Sequence, residues 1–225
     1  MSTYVIRPIN NTMTEIINPK IFITGIPTAG KTYLSRKLAK ATGGYCLETD
    51  ALRDELVKDP KYNKWENFFD EKNEYAYYTD NDPEEQWRLL SEQHEQLWPG
   101  VLKKIREYGS GHIPLKSIIA GYLRKPLSKK RPIIFEGINI LPRLAKKDLD
   151  FPGVVLIGKS LEEVLERNRQ RPRWGKTEEM LKMGAEAFWY VERPRYIAEA
   201  EDCGYKIFED ADEAYAEIVK ILDLK

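Results

Sequence analysis

A glycine-bounded loop between an apolar run and a helical pattern constrains this chain most. Residues 20 to 32 read KIFITGIPTAGKT, and residues 25 to 32 match the pattern G-x-x-x-x-G-K-S/T. The apolar run at 21 to 23 predicts a buried strand, and apolar residues at helical spacing from 33 to 41 predict a helix. A strand, this loop and a helix in that order are the context that a phosphate-binding loop requires.

The residue types of this loop suit the binding of a nucleotide. Gly25 and Gly30 allow a tight turn and a close approach of the backbone to an anion. The backbone N–H groups and the helix start direct partial positive charge at phosphates. Lys31 is expected on the β- and γ-phosphates and Thr32 on Mg²⁺; a glycine-rich turn with no ligand is the alternative. The expected nucleotide-binding residues here are Gly25, Ile26, Pro27, Thr28, Ala29, Gly30, Lys31 and Thr32.

Composition narrows the class of protein. The 225 residues suffice for one α/β domain, and we expect a single domain over residues 1–225. Lys and Arg number 36, as do Asp and Glu, so net charge gives no general reason to expect nucleic acid or an acidic membrane as a partner. No apolar run reaches the roughly 18 residues of a membrane span. Cys46 and Cys203 form no metal or redox motif, which predicts a reducing, cytoplasmic setting.

Strand-like and helix-like segments alternate along the chain. This alternation predicts a three-layer α/β/α fold in which helices cover both faces of a five-stranded parallel sheet. Strands are predicted at 20–24, 45–48, 132–137, 154–158 and 205–208.

Two charged residues follow the second predicted strand. Asp50 is placed to cap a helix over 51–58, and Arg53, three residues on, would face the same way. Ligands of open α/β sheets bind beyond the carboxyl ends of the strands, so both residues are candidates for catalysis or substrate binding. The alternatives are a purely structural N-cap for Asp50 and a plain surface arginine for Arg53.

The third predicted strand ends in an acid. Glu136 follows four apolar strand residues, at the place where nucleotide-transferring folds put a carboxylate beside Mg²⁺. It is a candidate to hold a metal-bound water or to orient substrate, and a structural ion pair is the alternative. Gly137 is expected to leave room for substrate near the backbone. Asn139 is a weaker candidate of the same kind.

A dense arginine run follows the fourth predicted strand. Ser160 and Glu163 form a capping box at the start of a helix whose end is strongly basic. Arginine forks bind phosphate and stabilise a transferring phosphoryl group, so residues 167–178 are expected to form a lid over the nucleotide. A solvated basic face is the alternative. The lid candidates for the nucleotide are Arg167, Arg171 and Arg173, of which Arg167 and Arg171 share a helical face.

Residues 59–130 are expected to form a substrate-side insertion. Its first part, 59–83, is rich in aromatic residues, which either bind substrate or only pack the segment onto the domain. A helix is expected to start at Asp82 and to be kinked or divided at Pro99. His94 lies on the apolar stripe of this helix and is expected to be packed rather than catalytic.

The chain resembles the P-loop kinases of small molecules in its strand–loop–helix start, its alternating strands and its arginine-rich segment. TDALR at 49–53 looks like the D-x-x-R element of polynucleotide-kinase-like and related kinases. IIFEGINILP at 133–142 is similar to the third-strand segment of zeta-toxin-like and 2-phosphoglycerate-kinase-like proteins. The spacing of Arg167 and Arg171 resembles the lid entrance of adenylate kinases. The resemblance covers roughly 20–58 and 131–223.

This resemblance implies a sheet order of 2-3-1-4-5 and the use of ATP and Mg²⁺. It implies that Asp50 is the base for the acceptor hydroxyl and that Arg53 holds the acceptor or the transferring phosphoryl group. It places Arg167 over adenine, with Arg171 and Arg173 on phosphates. The expected activity is transfer of the γ-phosphoryl group of ATP to a hydroxyl or phosphate of a small molecule.

One departure and two alternatives accompany this expectation. The third-strand acid is Glu136, so a directly metal-bound aspartate is not available there. A 5′-hydroxyl polynucleotide kinase is one alternative, since the basic runs 124–131 and 167–173 are able to hold a strand, although the neutral net charge disfavours it. A nucleotide-binding regulatory or zeta-toxin-like module is the other. GTP is disfavoured, because the chain lacks the guanine motif N-K-x-D.

Overall fold

A single parallel sheet forms the centre of the computed structural model, which describes residues 18–65, 71–110, 131–172 and 175–224. Within these ranges the strand order is β2-β3-β1-β4-β5, and all four pairings are parallel. The predicted order 2-3-1-4-5 is therefore confirmed. The strands are β1 (Lys20–Gly25), β2 (Tyr45–Glu48), β3 (Ile133–Glu136), β4 (Gly153–Leu156) and β5 (Lys206–Phe208).

Helices connect the strands and cover both faces of the sheet, as predicted. The α-helices are α1 (Lys31–Thr42), α2 (Thr49–Leu56), α3 (Glu71–Thr79), α4 (Pro83–Gly109), α5 (Pro142–Asp148), α6 (Leu161–Gln170), α7 (Glu178–Glu186), α8 (Arg193–Cys203) and α9 (Ala211–Ile221). A 3₁₀ helix covers Pro60–Trp65, and a π-helical stretch, Ala187–Glu192, joins α7 to α8.

Alternation along β1 separates the two layers of the core. Ile21 and Ile23 face the side covered by α1, where they share a cluster with Leu34. Phe22 points to the other face and shares a cluster with Ile105 of α4. Successive strand residues point to opposite faces, so three consecutive apolar residues serve both layers. Each such buried side chain contributes about 1.5–3 kcal/mol relative to exposure, which fixes β1 and the loop that follows it.

Much of the aromatic stretch predicted at 59–83 is helical in the structure. Tyr62 and Trp65 of the 3₁₀ helix are buried, and they pack in one cluster with Leu97 of α4. For these two residues the packing interpretation holds. Residues 66–70 of the stretch lie outside the described residues.

Helix α4 runs without interruption through Pro99, so the predicted division at this proline does not occur. Pro99 is exposed, and so is Glu95, whose carbonyl loses its helical partner and can bond to water instead. Asp82 caps the helix as predicted, accepting a hydrogen bond from the Glu85 N–H at 2.9 Å. His94 is buried among the residues that α4 packs, which confirms the packed position predicted for it.

Two further segments, residues 1–17 and 111–130, lie outside the described ranges. The second segment contains all of the basic run 124–131 except Arg131. Across the described helices, no stretch is both long enough and apolar enough to cross a bilayer.

Candidate active site

The glycine-bounded loop lies between β1 and α1 and takes a conformation that its two glycines permit. Gly25 has φ +124°, and a Cβ there would lie 1.8 Å from the carbonyl oxygen of Leu156. No side chain fits at that distance, so β4 and the loop can approach only because residue 25 is glycine. Gly30, with φ +101°, occupies the N-cap position of α1. The Ile26 N–H donates to the Leu156 carbonyl at 3.1 Å, which ties the loop to β4.

The Lys31 side chain turns back into the loop. Its Nζ donates to the carbonyl oxygens of Gly25 at 3.0 Å and Ile26 at 2.6 Å, and only 5% of the residue is exposed. The ammonium group is thus held at the centre of the loop by backbone dipoles. Phosphate oxygens would offer it charged acceptors, which form stronger hydrogen bonds than neutral carbonyls.

Thr32 at the start of α1 contacts the acid that ends β3. Its hydroxyl donates to Glu136, with 2.9 Å between Thr32 Oγ1 and Glu136 Oε1. Glu136 is 3% exposed. Burial, and then the neighbouring Asp50 carboxylate, raise the pKa of Glu136 to about 7, while Lys31 acts in the opposite direction. A divalent cation beside this carboxyl would favour its charged form.

The oxygen donors at this point fit Mg²⁺. Mg²⁺ usually takes one or two protein oxygens and completes its octahedral shell with waters and substrate phosphates. The Thr32 hydroxyl and the Glu136 carboxylate supply such oxygens next to the loop. Among the described residues, no group of three or more His, Cys, Asp or Glu side chains could hold a metal by itself.

Asp50 lies in the first turn of α2 and is not its N-cap, so that prediction is wrong. The helix begins at Thr49, two residues earlier than predicted. The Asp50 carboxylate instead accepts a hydrogen bond at Oδ1 from the Ile138 N–H, at 3.0 Å. This bond joins the end of β2 to the turn after β3 and fixes Asp50 at the carboxyl ends of two neighbouring strands.

A second set of hydrogen bonds links the same two turns. Thr49 Oγ1 donates to the Glu136 carbonyl at 3.1 Å and lies 2.5 Å from Asn139 Oδ1, and Asn139 Nδ2 donates to the Thr49 carbonyl at 2.9 Å. Thr49 and Asn139 are both buried. Asn139 therefore helps to hold the backbone at Thr49 in place. Its position after β3 in the sequence did not predict this role.

Gly137 is predicted to leave room for substrate near its backbone, but the side on which a Cβ would lie is already occupied. A Cβ at this residue would lie 2.1 Å from Thr49 Oγ1 and 2.8 Å from Asp50 Oδ1. The space beside its backbone is thus filled by the residues that begin α2. The glycine is needed for this close approach between the two turns.

Arg53 faces the cleft together with Asp50, as its spacing predicted. Glu48, also at the cleft, accepts a hydrogen bond from Arg36 of α1 at 2.7 Å. This ion pair joins the end of β2 to α1 and had no counterpart in the sequence-based prediction.

Arg167 lies over the glycine-bounded loop. Its Nη1 donates to the Thr28 carbonyl at 3.1 Å, and its Nη2 donates to Glu163 at 2.5 Å. A Cβ on Gly30 would lie 3.6 Å from Arg167 Nη1. Hydrogen bonds to Thr28 of the loop and to Glu163 of α6 therefore hold the guanidinium at the loop.

The other arginines of this run differ in where they point. Arg171, just after α6, is exposed and lines the cleft, and the described residues give it no acidic partner. Arg169 points away and pairs with Glu178. Arg173 lies outside the described residues. The run is thus divided between the cleft and the surface.

A cleft of about 500 Å³ brings most of the predicted site residues together. Ile26 and Ala29 of the loop are buried beneath it, where only their backbone is available to a phosphate. Residues that line the cleft are Thr28, Gly30, Lys31, Thr32, Tyr33, Glu48, Asp50, Ala51, Arg53, Glu136, Arg167, Gln170, Arg171 and Pro172.

A second cavity of about 500 Å³ adjoins this cleft on the outer face of α1 and is here called the α1 groove. Its charged side chains are all cationic, and sequence reasoning missed it, although Arg36 and Lys40 are spaced by four and share a helical face. The groove is lined by Thr32, Tyr33, Arg36, Lys37, Lys40 and Arg171.

No protein-family model matches the sequence, and no curated protein matches it. Three solved kinase structures align over most of the chain. Shikimate kinase from Acinetobacter baumannii, in complex with shikimate, is 17% identical with a TM-score of 0.49, over 91% of this chain and 93% of that one. A gluconokinase from Sinorhizobium meliloti 1021 is 17% identical with a TM-score of 0.43, and the alignment covers 92% of this chain and 93% of that one. Deoxyadenosine kinase from M. mycoides with bound dATP is 17% identical with a TM-score of 0.41, and the alignment covers 90% of this chain and 97% of that one.

Proposed function

We propose that this protein is an ATP- and Mg²⁺-dependent phosphotransferase that moves the γ-phosphoryl group of ATP to a hydroxyl or phosphate of a small molecule. One observation carries the proposal: a single cleft joins the Lys31 and Thr32 end of a phosphate-binding loop to Asp50 and Glu136 from two neighbouring strands. A module that only binds a nucleotide needs the loop alone. Asp50, from the neighbouring strand, is in addition placed to act as the base for an acceptor hydroxyl.

The loop and the arginines would hold the nucleotide. Loop amides and Lys31 would bind the β- and γ-phosphates, because the helix start and the ammonium group both favour negative charge there. Arg167, already held over the loop, would lie on the adenine. Arg171, exposed at the cleft, would approach the transferring phosphoryl group and stabilise the charge that spreads over it.

Thr32 and Glu136 would hold Mg²⁺ beside the nucleotide. Thr32 would do so through its hydroxyl, and Glu136, within hydrogen-bond reach of that hydroxyl, would hold one of the waters of the ion. The ion would supply neutralisation of the β- and γ-phosphate oxygens.

Asp50 would serve as the base and Arg53 would hold the acceptor. The Ile138 N–H keeps the Asp50 carboxylate in the cleft. The acceptor oxygen would form a bond to the γ-phosphorus while the bond from that phosphorus to the bridging oxygen breaks. ADP leaves with the electron pair, and the acceptor proton passes to Asp50.

The test is a screen for ADP formation from ATP and Mg²⁺ with many acceptors. The panel contains nucleosides, nucleotides, sugars, phosphoglycerates, antibiotics and 5′-hydroxyl oligonucleotides, and each is run against Lys31→Ala as the blank. We expect at least one acceptor to raise ADP formation in the native protein only. ATP binding without turnover on any acceptor, together with a stable protein complex, would support a regulatory or zeta-toxin-like module instead.

A second candidate function is 5′-hydroxyl polynucleotide kinase, and the α1 groove is the observation that favours it. Lys40 follows Lys31 by nine residues, or roughly 13 Å along the helix axis, which is too far for a triphosphate bound at the helix start. Lys40, Arg171 and the half-exposed ring of Tyr33 are therefore available to phosphates and bases of a strand. Activity on oligonucleotides that falls steeply with salt, and more steeply in the native protein than in Lys40→Ala, would establish it.

A further inference from the structure

A buried tyrosine ends the chain of hydrogen bonds that holds Asp50. The Ile138 N–H donates to Asp50 Oδ1 at 3.0 Å, and the Ile138 carbonyl accepts a hydrogen bond from the Tyr196 hydroxyl. Tyr196 belongs to α8 and is 0% exposed. Two consecutive hydrogen bonds thus run from the core of the protein to a carboxylate in the cleft.

Packing alone does not explain the hydroxyl of Tyr196. Phenylalanine would fill nearly the same space with no polar atom to satisfy, whereas a buried hydroxyl costs free energy unless it finds a partner. Burial, with Glu192 and Glu199 adding to it, raises the pKa of Tyr196 well above its ordinary value. The hydroxyl therefore remains protonated and can donate to the Ile138 carbonyl.

The ring of Tyr196 provides a firm anchor. It packs edge-on against Trp87 of α4, with 5.9 Å between the ring centroids, and belongs to the main core cluster. The N–H and the carbonyl of Ile138 flank one Cα, so holding the carbonyl restricts rotation of the backbone that carries the N–H. The Thr49–Asn139 hydrogen bonds restrain the same turn from the side of α2.

We propose that Tyr196 is a positioning residue for Asp50, acting through the backbone of Ile138. Tyr196 itself does not line the cleft and would touch neither substrate nor nucleotide. Its hydroxyl fixes the backbone of the turn after β3. That backbone holds the Asp50 carboxylate, which would accept the proton. This inference rests on the proposed function in so far as Asp50 acts as the base.

The test compares Tyr196→Phe with Tyr77→Phe. Tyr77 is a matched control, because it is also buried and its hydroxyl also donates to a backbone carbonyl, that of Gln86, at 2.8 Å. It does not line the cleft. The measurements are the melting temperature, the Kd for MgATP, the rate of ATP hydrolysis with water as the acceptor, and hydrogen exchange at the Ile138 amide.

We expect both variants to lose a similar amount of thermal stability and to retain the native Kd for MgATP. Only Tyr196→Phe should speed exchange at the Ile138 amide, and it should lower the hydrolysis rate about tenfold, because a small displacement of a catalytic group is costly. Equal hydrolysis rates in the two variants, or native exchange at Ile138 in Tyr196→Phe, would overturn the proposal.

A double-mutant cycle with Asp50→Asn tests the route of the effect. If Tyr196 acts through Asp50, Tyr196→Phe should cause no further loss of hydrolysis in the Asp50→Asn background. A full additional loss there would show that Tyr196 acts elsewhere.

The Lys31→Ala variant separates a failure of the proposed function from a failure of this inference. Hydrolysis that survives in Lys31→Ala would overturn the proposed function itself. Hydrolysis that needs Lys31 but is native in Tyr196→Phe would remove only this inference.

Discussion

Thr32 donates its hydroxyl to the Glu136 carboxylate, and the two oxygen atoms are 2.9 Å apart. Thr32 lies in the first turn of α1 and Glu136 ends β3, so this bond connects the residues that follow the glycine-bounded loop to the neighbouring strand. It keeps two oxygen atoms that could ligate a metal close together, at the position proposed for Mg²⁺ beside the β- and γ-phosphates.

Thr32→Val should weaken the use of Mg²⁺ while preserving the shape of the helix start. Removing the hydroxyl takes away one ligand of the ion, so the Mg²⁺ concentration for half-maximal ATP hydrolysis should rise at least about tenfold. A Mg²⁺ titration of hydrolysis measures this. Thr42→Val is the control, because the Thr42 hydroxyl donates to Leu38 at the other end of α1. An unchanged titration in Thr32→Val would contradict the assignment.

Glu136 should make folding stability depend on pH in the metal-free protein. Its pKa is raised from 4.5 to about 7, so between these values the unfolded chain has released a proton that the folded chain retains. Stability therefore falls as pH rises through this window, by about 3 kcal/mol in total. Urea unfolding of the native protein and of Glu136→Gln should show stabilities that diverge from pH 4.5 to 7, with the native protein losing more. Parallel curves would show that Glu136 ionises as readily as in the unfolded chain.

Lys31→Ala should abolish most of the activity. The ammonium group is held at the centre of the loop, and its loss should cost about 3–4 kcal/mol of transition-state stabilisation, a fall of about 10²–10³ in turnover. Steady-state rates of ADP formation measure this. Lys147→Ala, an exposed lysine of α5, is the control and should remain active. Near-native turnover in Lys31→Ala would reject the loop assignment.

Asp50→Asn should spare nucleotide binding and remove the base. Asparagine keeps an oxygen that can accept from the Ile138 N–H, so the fold and the Kd for ATP should not change. Phosphoryl transfer should fall about 10²–10⁴-fold, the usual contribution of a positioned base. Calorimetric titration with ATP and the transfer rate together decide the matter. Unaltered transfer would leave Asp50 as a residue that only joins two turns.

Arg171→Ala should weaken transfer more than ATP binding. Arg171 lines the cleft and has no acidic partner among the described residues, so it is placed to act on charge that develops during transfer. Arg169→Ala is a matched control two residues away, since Arg169 pairs with Glu178 and does not line the cleft. The kcat and Kd of both variants should be compared. An effect of Arg171→Ala on melting temperature alone would assign it to the surface.

Local sequence patterns were enough to predict the glycine-bounded loop and the position of two charged residues at the cleft. The loop from Gly25 to Thr32 is specified by residues that are adjacent in sequence. The alternation of strands and helices predicted a parallel sheet of five strands, and the strand order followed from the resemblance to P-loop kinases. Asp50 and Arg53 could be placed at the cleft because they follow a strand directly. In each case the deciding contacts are near in sequence or follow from the topology.

Contacts between distant residues decide the rest. Whether Asp50 caps α2 depends on the Ile138 N–H, 88 residues away, which takes up its carboxylate. The space beside Gly137 is filled by Thr49, and no local pattern predicts how closely these two turns approach. The α1 groove needs Arg171 to be brought over α1 from another part of the chain.

The ammonium group of Lys31 donates hydrogen bonds to two carbonyl oxygens of the loop, those of Gly25 and Ile26. A ligand therefore gains from Lys31 only what it offers beyond those two bonds. Charged phosphate oxygens exceed them, since charge-assisted hydrogen bonds are roughly twice as strong as neutral ones, whereas an uncharged hydroxyl gains nothing by the exchange. If the proposed function is correct, the loop would favour a ligand with a charged phosphate tail over an uncharged one, and a nucleoside without phosphates would gain no affinity from Lys31.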